Sequence, residues 1–352
     1  MDITIQYDGK DNKEAIRALW QSAFHDPAPF ADYYFQWIYP KNRVIIAKQE
    51  DRICSMLHLN PYRWVWNSGR QSRFLTLHYI VGVATEAEYR RKGLMRSCME
   101  RALRDLAAAE EPFTYLMPAR KEYYEPFQFV MLTEERRLIQ GDEAFVRQGR
   151  ERVRSFQSFP ARDASYMDQL RAEVQCEGGD LLEWDDGNSY CAYVLNRESE
   201  PPGIVIQQFF ESEYDRDNRK SSSVREPKMQ ADVWQDRILP ELYRRYGNAE
   251  IEYIESQPMM LRILDAEQFV TLLPYEGSRK SMNICLTDPI CEKNNGSFQL
   301  VLSSEGCRLL RKEPEDDMDF RRSAVQWDIR QLTVFLLQET RLGEKLYLME
   351  IV

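Results

Sequence analysis

The chain has 352 residues, 43% hydrophobic and 30% charged, which fits a soluble globular protein long enough for two or three domains, each with its own core. Its formal net charge of -10 argues against a general binder of nucleic acid or of anionic membranes, because either partner would be repelled. An acidic body with one basic loop suits instead an anionic cofactor and a cationic substrate.

Seven cysteines, at positions 54, 98, 176, 191, 285, 291 and 307, form an odd set with no CxxC spacing and read as reduced core residues. With only His25, His58 and His78 available, a His-rich metal site is not expected. The first residues carry no basic or apolar leader, and no stretch reaches the ~18 apolar residues of a membrane span. A cytoplasmic protein with neither a membrane nor a nucleic-acid partner is therefore predicted.

In chain order, Ile3 and Ile5 alternate with polar neighbours and suggest a first strand. Asp11 or Asn12 can cap a helix with Ile16, Leu19, Trp20 and Ala23 on one face. Residues 25–37 are dense in aromatics and proline. They read either as a short helix with a packed aromatic face or as a substrate wall. In the second reading Phe24 and Trp37 supply rings, and Asp26 and Asp32 supply charge for a cation. Residues 44–47 and 53–59 read as two strands, and a hairpin follows with arms at 62–66 and 73–83 around Asn67-Ser68-Gly69.

Residues 74–84 form an apolar, β-branched run too continuous to be half exposed, which predicts a buried central strand. A polar connection, residues 86–89, leads into Arg90-Arg91-Lys92-Gly93. From Leu94 the period changes, and Leu94, Met95, Cys98, Met99, Ala102, Leu103 and Leu106 mark one helix face. Strand, basic loop with one glycine, then helix is the geometry of an anion site: the first turn leaves amides unpaired and the helix dipole adds positive character. Residues 113–117 are a further strand, stopped by Pro118.

The sequence Arg90-Arg91-Lys92-Gly93-Leu94-Met95, behind Val83-Ala84-Thr85, resembles the acetyl-CoA signature of the GNAT superfamily of N-acetyltransferases: Arg or Gln, two residues, Gly, one residue, Gly or Ala. Met95 stands where the family has a small residue. Residues 119–129, with a Tyr-x-x-Phe-x-aromatic pattern, resemble the enhanced-intracellular-survival (Eis) branch, with Gln128 where the branch usually has Gly. The resemblance implies that the signature strand and the next one splay apart around the cofactor's arm. It implies acetyl-CoA contacts from Val83, Ala84, Thr85, Arg90, Arg91, Lys92, Gly93, Leu94, Met95, Arg96, Ala119 and Arg120. Tyr124 then acts as general acid toward the leaving thiolate, and the Val352 carboxylate as base. Phe24, Asp26, Trp37 and Glu350 line the substrate, and the protein is expected to be a homo-oligomer.

Further along, residues 142–159 are arginine-rich and read as helix and linker. Residues 163–253 are mixed helix and strand, with strands at 190–195 and 203–210, and residues 211–231 read as a mobile surface loop. Residues 258–265 carry a PxxxRxxD pattern. A helix and strands at 281–286 and 297–303 around Asn294-Asn295-Gly296 follow, then a helix over 319–338. This segment resembles the sterol-carrier-like domain that ends Eis proteins. The chain closes on strand-forming residues, which suggests that Val352 is held inside the body; an ordinary edge strand accounts for them equally well.

The expected fold is α/β (α+β): tandem GNAT-like domains with mixed, mostly antiparallel sheets, then a sterol-carrier-like α+β domain. The boundaries fall at 1–140 (catalytic), 141–256 (a degenerate copy) and 257–352. The function that follows is acetyl transfer to a primary amine of a cationic small molecule or a lysine. The alternative is a non-catalytic protein that binds CoA or an apolar ligand. A thiol titrates near ~8.5 and a tyrosine near ~10, so Tyr124 suits a nascent thiolate; a carboxyl near ~3.5 is a poor base for an amine near ~10.4 unless burial raises it.

Overall fold

The computed structural model describes residues 3–67, 72–140, 158–184, 189–197, 202–211, 238–312 and 323–350. The chain begins with β1 (Ile3–Tyr7), helices α1 (Lys13–Phe24) and α2 (Ala28–Tyr33), a π-helical turn (Tyr34–Ile38), β2 (Arg43–Gln49), β3 (Arg52–Asn67) and β4 (Ser72–Thr85). Then come α3 (Leu94–Ala108), β5 (Phe113–Leu116), β6 (Val130–Met131) and β7 (Arg136–Ile139). The middle holds β8 (Ser158–Pro160), α4 (Ala164–Cys176), β9 (Asp180–Glu183), β10 (Ser189–Asn196), β11 (Gly203–Glu211), α5 (Leu239–Tyr246) and β12 (Ile251–Ser256). The last part holds β13 (Met260–Ile263), α6 (Ala266–Leu272), β14 (Lys280–Thr287), β15 (Gly296–Leu302), β16 (Arg308–Lys312), β17 (Val325–Asp328) and α7 (Ile329–Thr340).

These strands make three sheets. The first runs β1-β2-β3-β4-β5-β13-β6, with β8 added to β3; the second runs β7-β12-β11-β10-β9; the third runs β16-β15-β14-β17. Parallel pairs (β4 with β5, β11 with β12, β14 with β17) sit among antiparallel ones. The first sheet shares one continuous apolar core with the third, from Ile45 and Trp64 through Phe113 to Phe298 and Leu336. The second sheet has its own core around Cys191, Tyr193 and Ile251.

The sequence divides 53–66 into two strands, but β3 runs unbroken through Pro61. Pairing explains this. The first residue of β2 pairs with Leu59 and the last of β8 with Trp64, so among the described residues Pro61 sits where β3 has no outer strand partner and its missing N–H leaves no gap in a ladder there. Residues 74–84 are less buried than their composition suggests: Phe74 is 56% exposed, with the Arg63 guanidinium 3.7 Å over its ring, and burial begins only at Leu77.

The helix expected over 319–338 is in fact a strand, β17, followed by α7, which starts at Ile329. Asp328 accepts from the Gln331 amide while the Gln331 side chain accepts from the Asp328 amide, a capping box that fixes the helix start. Residues 345–350 form no strand. A single bridge, Ser158↔Leu346, with the Tyr347 amide on the Ser158 carbonyl (3.0 Å), fastens them to β8. Residues 68 and 69 of the turn expected at 67–69, most of the helix and linker at 142–159, nearly all of the loop at 211–231, and Val352 lie outside the described residues.

Candidate active site

The signature strand carries a feature that composition alone does not announce. His58 pairs with Val81 and Met56 with Ala84, so Gly82 and Val83 together oppose Leu57. This is a β-bulge, and Gly82 permits it at φ +61°; a Cβ there would lie 2.5 Å from the Trp20 ring. The bulge bends β4 just before Val83, Ala84 and Thr85. Ser55 Oγ ties it back to β3, bonding the Ala84 carbonyl and Thr85 Oγ1 (both 2.8 Å).

β4 and β5 are joined at Tyr79↔Tyr115, with Thr114 Oγ1 donating to the His78 carbonyl (2.7 Å). β4 then continues to Thr85 while β5 turns away to pair with β13. Among the described residues, that edge of 80–85 has no strand partner. The gap opens toward the N-terminus of α3, where no side chain caps the helix. Gly93 stands there at φ +82°, and a Cβ on it would meet nothing within 4 Å.

Arg90, Arg91, Lys92, Gly93 and Arg96 are exposed around it, and Arg91 also takes a left-handed φ of +62°. Arg90 Nε reaches back to the Thr85 carbonyl (3.2 Å), and Lys92 lies over the Tyr89 ring. Leu94 and Met95 pack into the core behind the loop. Open backbone at a helix start, ringed by four cations, fits a diphosphate. Ala119 and Arg120 are exposed where the chain leaves β5.

Tyr124 sits between two single 3-10 turns, Lys121–Tyr123 and Glu125–Phe127, with its ring edge-on to Phe129. Among the described residues its hydroxyl makes no hydrogen bond. Burial, with a smaller contribution from Tyr123, pushes its pKa up to about 12. Gln128, which ends the second turn, has φ +69°. A left-handed residue is required there, which explains why a glycine suits this position.

Tyr79, at the point where the strands part, feels Glu350, Tyr124 and Glu173 electrostatically. Both Glu350 and Tyr124 therefore act on the Tyr79 hydroxyl. Glu350 is enclosed: Tyr166 donates to Oε1 (3.0 Å), Arg162 Nη1 lies 3.4 Å away, and the Met349 amide reaches Oε2 (3.2 Å). Burial raises its pKa, and Arg162 and these hydrogen bonds oppose the rise.

The sequence reading missed Glu173, which the structure makes central. Burial lifts its carboxyl to about 8, with Glu177 and Glu350 adding to the rise and the Tyr33 hydroxyl (2.9 Å) opposing it. Leu170, Glu173 and Val174 share the buried face of α4; a carboxylate on such a stripe was the available signal. Glu177, held by Gln207 (2.8 Å), in turn feels Asp26, which accepts from Trp20 Nε1 (2.8 Å). Asp26 thus acts electrostatically on Glu177, and Glu177 and Glu350 act on Glu173. Phe24 stands against Trp20, whereas Trp37 packs on the cluster of α1 and α2. Asp32 pairs with Arg17 on the outside.

Residues 5–131 match the family model described as an acetyltransferase (GNAT) domain, and residues 266–350 match the one described as a sterol carrier protein domain. The chain carries an acetyltransferase (GNAT) domain followed by a sterol carrier protein domain. A comparison with curated proteins finds no match. Among solved structures, this acetyltransferase resembles a probable N-acyltransferase from Enterococcus faecalis V583 (13% identity, 99% of this chain and 97% of that one, TM-score 0.66). It also resembles a GCN5-related N-acetyltransferase from Kribbella flavida (13%, 98% and 95%, 0.64) and Eis1 from Mycobacterium abscessus (12%, 95% and 89%, 0.64). At these identities the likeness is one of fold, and it runs through all three sheets. No helix among the acetyltransferase's described residues is long and apolar enough to cross a membrane, and all seven of its cysteines are free thiols.

Proposed function

We propose that the protein transfers acetyl from acetyl-CoA directly to a primary amine of a polycationic small molecule of the aminoglycoside or polyamine kind, a lysine side chain being the other amine the same chemistry accepts. What supports this most is the edge of β4 that, among the described residues, has no strand partner past the Tyr79↔Tyr115 pair, followed by an uncapped, cation-ringed helix start. The division at residues 140 and 256 belongs to the same reading, with β13 given to the catalytic sheet.

Arg90, Arg91, Lys92 and Arg96, with the α3 amides, hold the diphosphate of acetyl-CoA, whose thioester supplies the activated acyl carbon. The bulged amides of Val83 to Thr85 polarise its carbonyl. Glu350, fixed by Tyr166 and Arg162, orients the cationic substrate. The amine nitrogen bonds to the acyl carbon as the C–S bond breaks, and the amine's proton leaves to the Val352 carboxylate.

Tyr124 hydrogen-bonds the departing sulfur. With its pKa near 12, full proton transfer to a thiolate near ~8.5 is uphill by about 5 kcal/mol, so Tyr124 stabilises developing charge first and gives up its proton late.

The test follows CoA-thiol release with kanamycin A, spermine and a lysine peptide as acceptors. Tyr124→Phe is expected to lower kcat by about 100-fold or more, and residues added after Val352 to abolish turnover. CoA binding without thiol release on any amine would make the protein a CoA holder instead.

A further inference from the structure

The strand that leads into the sterol carrier domain, β13, lies in the catalytic sheet, and there it touches the turn that carries Tyr124. β13 lies between β5 and β6, so both stems of the 117–129 loop hang on one short strand. Met260 faces Leu116 on one edge and Met131 on the other, and Leu261 faces Tyr115 and Val130. Within the loop, the Tyr124 carbonyl accepts from the amides of Phe127 (3.0 Å) and Phe129 (3.4 Å).

Arg262, fully buried in β13, donates from Nε to the Phe127 carbonyl (3.0 Å) and from Nη2 to Asp288 Oδ1 (2.6 Å), while Nη1 meets the Ile263 carbonyl. Asp288 also accepts from the Ile290 and Cys291 amides (2.9 and 3.0 Å) and from Asn294 Nδ2 (2.8 Å), all in the connection between β14 and β15. Both charged side chains have zero exposure. The other polar link from this turn to the sterol carrier part, Glu125 to Arg330 at 3.5 Å, is exposed and screened.

A buried ion pair is a poor device for stability alone, since apolar residues of similar volume commonly serve as well or better. What an apolar pair cannot do is bond a particular carbonyl. The three acceptors of Arg262 lie on the Tyr124 turn, on β13 itself and on the sterol carrier sheet, so its planar fork fixes the three with respect to one another.

We infer that Arg262 is a positioning residue for acyl transfer: it holds the Tyr124 turn through the Phe127 carbonyl, and Asp288 of the sterol carrier domain sets where it holds it. This rests on the reading of Tyr124 given above. The consequence is that the sterol carrier domain acts on the reaction through placement of the donor hydroxyl, without lending a group to substrate.

Three substitutions in the whole chain test it: Arg262→Lys, which keeps a charge for Asp288 but loses the fork; Asp288→Asn, which retains an acceptor for the Ile290 and Cys291 amides; and Tyr124→Phe. Tyr124→Phe is also combined with each of the other two, which makes five variants. Amide hydrogen exchange is the first readout. Exchange at residues 124–129 is expected to quicken about tenfold in Arg262→Lys, with β5 and β13 unchanged. Unchanged exchange in the turn, or quickening spread over the whole sheet, overturns the inference.

Kinetics with acetyl-CoA and either spermine or kanamycin A is the second readout. Arg262→Lys and Asp288→Asn are expected to lower kcat at least tenfold, with KM for both substrates within about twofold. Neither is expected to lower it further when Tyr124 is already Phe. Losses that multiply in the double variant overturn the positioning role while leaving Tyr124 as donor. A Tyr124→Phe protein as fast as the parent removes the donor itself, and the positioning role with it. If Arg262→Lys does not fold, Asp288→Asn carries both readouts.

Discussion

Replacing Glu173 with Gln should change how stability depends on pH. In the folded protein its carboxyl titrates at about 8, against an ordinary value of 4.5. Between those values the folded state keeps a proton that the unfolded state has lost, so stability contributed by this group is present below pH ~4.5 and is lost as pH rises through 8. The 3.5-unit difference corresponds to about 5 kcal/mol at most, at about 1.36 kcal/mol per unit, and relaxation around the ionised group reduces it to a few kcal/mol. Gln cannot ionise, yet its Oε1 still accepts from Tyr33. The variant should therefore match the parent near pH 5 and exceed it by a few kcal/mol at pH 9, enough to raise Tm by several degrees. Thermal melts of both proteins from pH 5 to 9 measure this. Parallel Tm curves across that range would show that Glu173 is not held protonated in the folded protein.

Gln128→Gly should stabilise the protein by about 1 kcal/mol: it removes a left-handed non-glycine residue, worth about 1–2 kcal/mol, and a buried Oε1 with no partner, against the extra freedom of glycine in the unfolded chain, about 0.5–1 kcal/mol. Urea midpoints read it. Gly82→Ala should destabilise by more than ~2 kcal/mol and lower kcat, because the methyl meets Trp20 and the φ is wrong for alanine; circular dichroism melts and CoA-thiol release report each part. Arg91→Ala and Lys92→Ala should each raise KM for acetyl-CoA several-fold with kcat little changed, and the parent's KM should rise with salt while the variants' rises less.

The parts of the site legible in the sequence are those made by consecutive residues. Arg90 to Met95 sit at a helix start because period and glycine placement are local signals, and Tyr124 stands out through a short pattern. Glu173 and Arg162 escape because they matter only once α4, which carries Tyr166, has been laid against Tyr33 and Glu350, a packing that no periodicity specifies. The helix expected over 319–338 fails for a different reason. The apolar spacing continues across Val325 and Trp327, so the helical pattern hides a strand that pairs with β14, and only the Asp328–Gln331 box marks the change. Gln128 reverses the case: an apparent departure from the family pattern becomes intelligible once its φ is known.

The insertion of β13 has a consequence for biosynthesis. Ile263 pairs with Phe113, 150 residues earlier, so the catalytic sheet cannot close on the ribosome until most of the polypeptide has been made. Until then β5 presents a bare apolar edge to the cell. Translation pauses before residue 260, or fragments stopping short of it, should recruit chaperones and aggregate, even though every residue of the diphosphate loop has long since emerged.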